Sequence, residues 1–420
     1  FVMAERDFDV IVWGATGFTG KLCAEYLLKN YGLGNGVKWA LGGRNKGRLE
    51  AVKSTLSSIN SAAKSLELVV GDSQDAPSLL AMAKRTKVVL TTVGPYLKYG
   101  TPLVEACIEA KTDCVDLTGE TPWVKILIDR FHARAEERGV KIVNCCGFDS
   151  VPSDLGCLMM INHLKNEYGE ETKSVKYALG KSQGGASGGT LDSVLTIIDN
   201  LSLKDMKQLG DPYLLNPPDS SKGSDGADQV GPVFDKEAQV WTAPFVMANT
   251  NTRVVRRSVG LIRGLSVARN VFSYTETHRM GKGPVGFIAA CFLSAIYPVM
   301  MFLFYFRLTR WLVWKLLRLP KPGEGITREQ IEKGFYQVHL VAESTTGRKV
   351  KGRVLGKQDP GYGDTSRMLV ESALCLAIDK AELKKDSMLR SGGILTPASA
   401  MGVALIQRLR AAGTEYVAGG

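Results

Sequence analysis

The sequence predicts an α/β protein, a doubly wound parallel sheet joined to a second α+β domain that carries an apolar insertion. Three observations predict it. An apolar strand runs straight into regularly spaced glycines. Strands and helices alternate six times over the first third of the chain, and one uncharged run of 24 residues, Gly283 to Phe306, interrupts a later region of strand-like segments.

The chain is organised around Asp9 to Gly20, DVIVWGATGFTG. Val10, Ile11, Val12 and Trp13 show no polar alternation, the pattern of a strand buried on both faces of a parallel sheet. Gly14, Gly17 and Gly20 follow at three-residue spacing, with Ala15, Thr16, Phe18 and Thr19 between them, and the helical stretch KLCAEYLLKN begins at once. A glycine turn at a helix N-terminus offers backbone N–H groups and the helix dipole to a pyrophosphate, so these residues are candidates for dinucleotide binding. The same spacing also suits a plain tight turn.

Further strands are read at 37–43, 66–72, 87–94, 114–119 and 140–147, with helices to about Ile59, from Pro77 to Arg85, from Pro102, and from Pro122 to Arg138. In such a sheet ligands lie beyond the carboxyl ends of the strands. At the second strand end no Asp or Glu occurs from Tyr26 to Leu49, and Arg44 stands there with Lys46 and Arg48 behind it. A guanidinium at that position pairs with a 2′-phosphate, which favours NADP(H) over NAD(H); alternatively, Arg44 simply opens the next helix. Asp72 ends the third strand, either to meet the adenine amino group or to cap a helix. Val93, Gly94 and Tyr96 end the fourth and are placed at the nicotinamide end, although turn chemistry alone also explains the Gly-Pro pair. Asp149 and Ser150 follow the sixth strand, on the side where substrate arrives, with helix capping as their alternative role.

After Ser174 the rhythm breaks. Gly184, Gly185, Gly188 and Gly189 read as a loop before a helix near 191–201, and 211–232, rich in Pro, Ser, Asp and Gly, reads as an exposed excursion or lid. A second, antiparallel-leaning sheet is expected from 241 onward, with VFSYTETHRM as a strand and FYQVHLVAEST pairing with RKVKGRVLGK as a hairpin. Two apolar-periodic helices are expected to close the chain and to return over the nucleotide domain. The expected domains are therefore 1–155 for the nucleotide, 156–360 for substrate and dimerisation, including the apolar segment 283–320, and 361–420 for the returning helices.

With 420 residues, 45% hydrophobic and 23% charged, the chain has the composition of a globular protein of two domains. Its net charge of +11 equals the surplus between Arg253 and Lys321, where 12 Lys or Arg face one acid, Glu276. A local basic surplus bracketing an apolar run suits an anionic membrane surface rather than nucleic acid. As a helix the run is long enough to cross a bilayer, yet Pro298 and the basic flanks favour a helical hairpin or a half-inserted segment; a buried core helix or a lipid-substrate wall is the alternative. Eight cysteines without a CxxC pair point to a reducing compartment, with neither zinc nor disulfides, and no secretory pattern opens the sequence.

Taken together, GATGFTG, the strand-end GR, TTVGPY, VDLTGE, NCCGFDSVPSDLG and GGILTPA resemble the saccharopine dehydrogenase-like oxidoreductases. The resemblance implies a Rossmann domain with an inserted α/β domain, in a family that includes saccharopine reductases and mycobacterial trans-acting enoyl reductases. Its animal and fungal members with an apolar insertion associate with lipid droplets or membranes. By that resemblance the cofactor role falls on Gly14, Thr16, Gly17, Phe18, Thr19, Arg44, Asp72, Gly94 and Tyr96, with Ala15 and Val93 completing the two turns. The dicarboxylate-binding arginines of a saccharopine reductase have no match here, and no Tyr-x-x-x-Lys donor stands in the expected place.

The leading expectation is an NADP-dependent reductase acting on a lipid-like substrate at the cytosolic face of a membrane or lipid droplet, with a homodimer as an expected assembly. Asp149, Ser150 and Tyr96 are its candidates for proton transfer. A membrane-docked nucleotide-binding scaffold with weak catalysis and a saccharopine reductase of lysine metabolism stay open as alternatives.

Overall fold

The computed structural model describes residues 5–33, 36–184, 195–196, 198–200, 208–317 and 325–419. The glycine loop from 185, most of the helix expected at 191–201, and the cations Arg318 and Lys321 lie outside the described residues. Two compact units are present, Phe1–Val151 with Gly361–Ala412, and Pro152–Pro360 with Gly413–Gly420.

The chain opens with strict alternation: β1 (Phe8–Trp13), α1 (Phe18–Tyr31), β2 (Trp39–Gly43), α2 (Lys46–Ile59), β3 (Leu68–Val70), α3 (Ala76–Ala83), β4 (Thr86–Thr91), α4 (Tyr96–Ala110), β5 (Asp113–Asp116), α5 (Thr121–Glu137) and β6 (Lys141–Val143). The second unit then supplies α6 (Val151–Tyr168), β7 (Thr172–Gln183), β8 (Val233–Asp235), β9 (Val240–Pro244), α7 (Ala248–Leu261), β10 (Ser273–Gly281), α8 (Gly283–Tyr305), α9 (Arg307–Leu317), α10 (Arg328–Lys333), β11 (Phe335–Ser344) and β12 (Lys349–Gly356). The chain returns to the first unit with α11 (Thr365–Ile378), α12 (Lys380–Lys385), β13 (Gly393–Leu395) and α13 (Pro397–Ala411), and ends with β14 (Glu415–Ala418) in the second.

The first sheet has the order β13-β6-β5-β4-β1-β2-β3, and its strands pair in parallel. Every residue of β1 is buried, as its unbroken apolar run requires. Buried from Thr365 to Ala377, α11 packs across β1, β4 and β5. Its Glu371 accepts hydrogen bonds from Tyr26 Oη (2.8 Å), Tyr31 Oη (2.7 Å) and Arg408 Nε (2.9 Å), tying α1, α11 and α13 together. Besides the expected helices, the returning segment contributes the strand β13 at Gly393–Leu395, beyond which Thr396 and Ser399 form the capping box of α13. Three residues are too short to display a period, so local sequence reads this strand as part of the helix.

The second sheet has the order β14-β12-β11-β7-β10-β9-β8; β7 and β10 are parallel and the other pairs antiparallel. The expected hairpin is β11 with β12, Val338 opposite Val354. Tyr336, Val338, Leu340 and Ala342 face inward, and Gly156 of α6 lies against Leu340, where a Cβ would come to 3.0 Å. At the centre, buried Glu276 accepts from Tyr274 Oη (2.7 Å) and Asn251 Nδ2 (3.0 Å), and burial pushes its carboxyl up to about 8.

Two expectations are corrected in this unit. The segment from 241 is not sheet throughout: β9 gives way to α7, whose Arg253, Arg256 and Arg257 are all buried. Arg256 Nη2 pairs with Asp225 (3.0 Å) and Nη1 donates to the Pro212 carbonyl (3.1 Å); Arg253 pairs with Asp228, and Arg257 donates to the Leu215 carbonyl. These contacts anchor 211–232 to α7, so the excursion is a strapped loop rather than a free lid, and three of the 12 cations counted in the basic segment are buried in this anchor.

The apolar run forms α8, 23 residues with Pro298 inside it, followed by α9. Only 11% of its most apolar window is buried, and Val285 (79% exposed), Ile288 (65%) and Phe292 (67%) face outward. The buried-core alternative therefore does not hold for this helix.

Candidate functional site

The site is built on the carboxyl edge of the first sheet. Reading along it, Asp72 follows β3, Arg44 follows β2, the glycine turn follows β1, Val93 and Gly94 follow β4, Asp116 to Glu120 end β5, and Asp149 follows β6. Strands about 4.8 Å apart spread these residues over about 24 Å, room for an extended dinucleotide, and the crevice between β1 and β4 is the topological switch point.

Each glycine of the turn has a different physical reason. Gly14 has φ +92°, and a Cβ there would come to 2.7 Å from Thr92 Oγ1 and 2.8 Å from Val93 Cγ2. At Gly20 a Cβ would come to 2.2 Å from the Gly14 carbonyl, so its absence lets α1 close onto the turn. Gly17 is unlike both: it is extended (φ −74°, ψ 167°), and its Cβ would meet only the Gly14 oxygen, at 3.3 Å. The chain itself makes little demand for glycine there, whereas a pyrophosphate seated on the N-terminus of α1 does. No side chain caps α1, and no acid stands in its first turn. Ala15 is buried, its N–H donating to the Gly42 carbonyl (3.1 Å); Thr16 and Thr19 are half-buried, and the Phe18 ring meets Tyr362 edge-on at 4.8 Å.

Arg44 is exposed and has no partner among the described residues. The helix-opening role belongs to Asn45, whose Oδ1 accepts from the Arg48 N–H (2.9 Å) as the cap of α2. Asp72 does not occupy the cap of α3, which is Asp75; its Oδ1 accepts from the Gln74 N–H (2.9 Å) and folds the turn ahead of that helix.

Tyr96 requires a correction. Its ring is 5% exposed and stacks on Trp123 at 5.2 Å, and its hydroxyl donates to the Thr91 carbonyl (3.2 Å). Burial holds the phenol well above its ordinary pKa. It is the first residue of the buried face of α4, with Gly100, Leu103, Val104 and Cys107 behind it, so it faces the core and not a nicotinamide. That helix begins at Tyr96 rather than Pro102 because Glu120, distant in sequence, receives its first N–H groups: Oε1 accepts from Tyr96 (2.9 Å) and Oε2 from Leu97 (2.7 Å). Gly94 remains exposed and Val93 half-buried at the strand end.

Asp149 is half-buried without a hydrogen-bond or ion-pair partner among the described residues, and loss of water pushes its carboxyl up to about 6. Ser150, by contrast, is buried, its N–H donating to the Gly147 carbonyl (3.2 Å). Sequence reasoning left Asp116 and Glu120 without a role; both are 1% exposed, and the VDLTGE motif was the available signal. Among the described residues no cluster of His, Cys, Asp or Glu is arranged to hold a metal.

A profile of the saccharopine dehydrogenase NADP-binding domain matches residues 10–143. A Mycobacterium tuberculosis protein assigned by name to the trans-acting enoyl reductases is 39% identical over 98% of this chain and 97% of its own length. The Mycobacterium leprae trans-acting enoyl reductase is 36% identical over 97% of each chain. Saccharopine dehydrogenase (L-Glu forming) from Saccharomyces cerevisiae has a similar fold, with TM-score 0.53 and 12% identity over 98% of this chain and 99% of its own. The glycine turn, the exposed cation after β2 and the two mycobacterial relatives, matched over nearly the whole of this chain, agree: the chain belongs to the saccharopine dehydrogenase family and is an NAD(P)-dependent oxidoreductase with an NADP-binding Rossmann domain.

Proposed function

We propose that the protein is an NADPH-dependent reductase of an apolar, unsaturated acyl substrate, working at an anionic membrane or lipid-droplet surface on the cytosolic side. The observation that carries the reading is Arg44, an exposed guanidinium without a partner among the described residues, at the strand end where the 2′-substituent of the ribose belongs. NADPH, when bound, supplies a hydride. The chain's own part is to hold the pyrophosphate on the turn at Gly14 to Thr19, to pair Arg44 with the 2′-phosphate, and to leave Asp72 near the adenine. Asp149 is the side chain best suited to deliver the accompanying proton, because a carboxyl raised to about 6 holds a proton at a useful fraction near neutral pH. Ser150 keeps a role in shaping that loop.

The names of the mycobacterial relatives support an enoyl thioester as the substrate class. The exposed apolar faces of α8 and α9, with Arg307 and Lys315 beside them, support the surface location, since patches of this size are rarely left bare. The test is NADPH oxidation by the full chain with trans-2-dodecenoyl-N-acetylcysteamine thioester, alongside titrations of NADPH and NADH. Oxidation is expected with NADPH, and Arg44→Ala should weaken NADPH binding at least tenfold with little effect on NADH. A preference for NADH that the substitution leaves unchanged would overturn the cofactor assignment, and no oxidation with the thioester would overturn the substrate class.

A further inference from the structure

The segment Asp116-Leu117-Thr118-Gly119-Glu120 ends β5, which lies between β4 and β6 in the sheet. It grips the loops on both sides. Toward β6, the Asp116 carbonyl accepts from the Cys146 N–H (2.7 Å), Oδ1 from the Cys145 N–H (3.2 Å), and Oδ2 from Asn144 Nδ2 (2.6 Å). Toward β4, Glu120 receives the N–H groups of Tyr96 and Leu97 that follow Gly94 and Pro95. The two grips are linked, because Asp116 Oδ1 also accepts from the Thr118 N–H (3.0 Å) and Thr118 Oγ1 accepts from the Glu120 N–H (3.0 Å).

Four features make this more than a strand end. Asp116, Thr118, Glu120 and Asn144 are all nearly excluded from water. Asp116 is met by neutral donors, the Thr118 and Cys145 N–H groups and Asn144 Nδ2, and burial pushes its carboxyl up to about 7, a polar group kept in the core at a cost that its hydrogen bonds offset. Cys145 holds φ +62°, an uncommon conformation for a side chain other than glycine, in the loop that Asp116 fastens. The loop is fixed again farther on, the Phe148 N–H donating to Thr365 Oγ1 (3.0 Å), so the segment leading into Asp149 is held at Cys145, Cys146 and Phe148.

We propose that Asp116 and Glu120 are positioning residues for the reaction: they set the separation of the β4 loop from the β6 loop, and with it the placement of the nicotinamide ring relative to Asp149. This rests on the NADPH reading above. Arg44 and Asp72, beyond β1 on the other side of the switch point, are outside the clamp's reach, so the adenosine end should be indifferent to it.

The test uses the full chain and two ligands, NADPH and 2′,5′-ADP, which keeps the 2′-phosphate and lacks the nicotinamide. Asp116→Ala and Glu120→Ala should weaken NADPH at least tenfold and leave 2′,5′-ADP within twofold. Asp116→Asn, which preserves an acceptor for the Thr118 and Cys145 N–H groups, should restore NADPH to within threefold. Equal losses for both ligands, or no loss for either, would overturn the proposal. Amide exchange without ligand separates its failure from failure of the NADPH reading. Glu120→Ala should speed exchange at Tyr96 and Leu97 and also, through Thr118, at Cys145 and Cys146; acceleration confined to Tyr96 and Leu97 would show that no clamp exists, whether or not NADPH binds.

Discussion

Gly17 and Gly20 make opposite predictions although they share one motif. A side chain at Gly17 meets only the Gly14 carbonyl, 3.3 Å from its Cβ, and the extended backbone there is open to any residue, so Gly17→Val should stay folded and bind neither NADPH nor NADH. Gly20→Ala forces a methyl into the Gly14 carbonyl and should cost about 1–3 kcal/mol, read as a lowered urea midpoint. Titration of both variants beside circular dichroism checks the pair; a Gly17→Val protein that still binds nucleotide would move the pyrophosphate elsewhere. The glycine spacing and the charge of Arg44 were legible in sequence because their causes are local. The orientation of Tyr96 was not, since a carboxylate at Glu120 fixes where its helix starts.

At the scale of elements, α8 and α9 expose large apolar side chains whose burial stabilises by about 1.5–3 kcal/mol each, with about 1 kcal/mol for every cation near an anionic surface. The full chain should float with liposomes containing phosphatidylserine, and replacing Gly283 to Leu317 by a Gly/Ser linker should abolish flotation while preserving NADPH binding. A monodisperse protein without lipid or detergent would instead assign the helices to protein contacts. Length and absence of charge gave away the helix, and the alternation of β11 gave away the hairpin. The strapped loop at 211–232 stayed hidden because its anchors, Asp225 and Asp228, reach arginines that look like surface charge until α7 is seen to bury them.

For the molecule as a whole, Glu276 makes stability depend on pH. Its folded-state value of about 8 lies above the ~4.3 of an unfolded glutamic acid, so the unfolded chain releases this proton first. The stabilisation is complete below about pH 4 and is lost as pH rises to about 8, at up to ~1.4 kcal/mol per unit where only the folded state is protonated. Melting curves between pH 6 and pH 8.5 should show a falling midpoint, and Glu276→Gln should flatten that fall. An equal slope in the variant would place the titrating group elsewhere.

The path of the chain through its two units has a consequence for biosynthesis. Neither unit is a continuous stretch, because each takes a strand from beyond Gly361: β13 completes the nucleotide sheet and β14 the second sheet. A nascent chain emerging from the ribosome can collapse locally, but it presents two open strand edges, β6 and β12, until β13 and β14 have been made. Removing β13 and β14 therefore bares an edge in each unit, and a chaperone attending this protein has to shield the edges of two sheets until both strands have emerged.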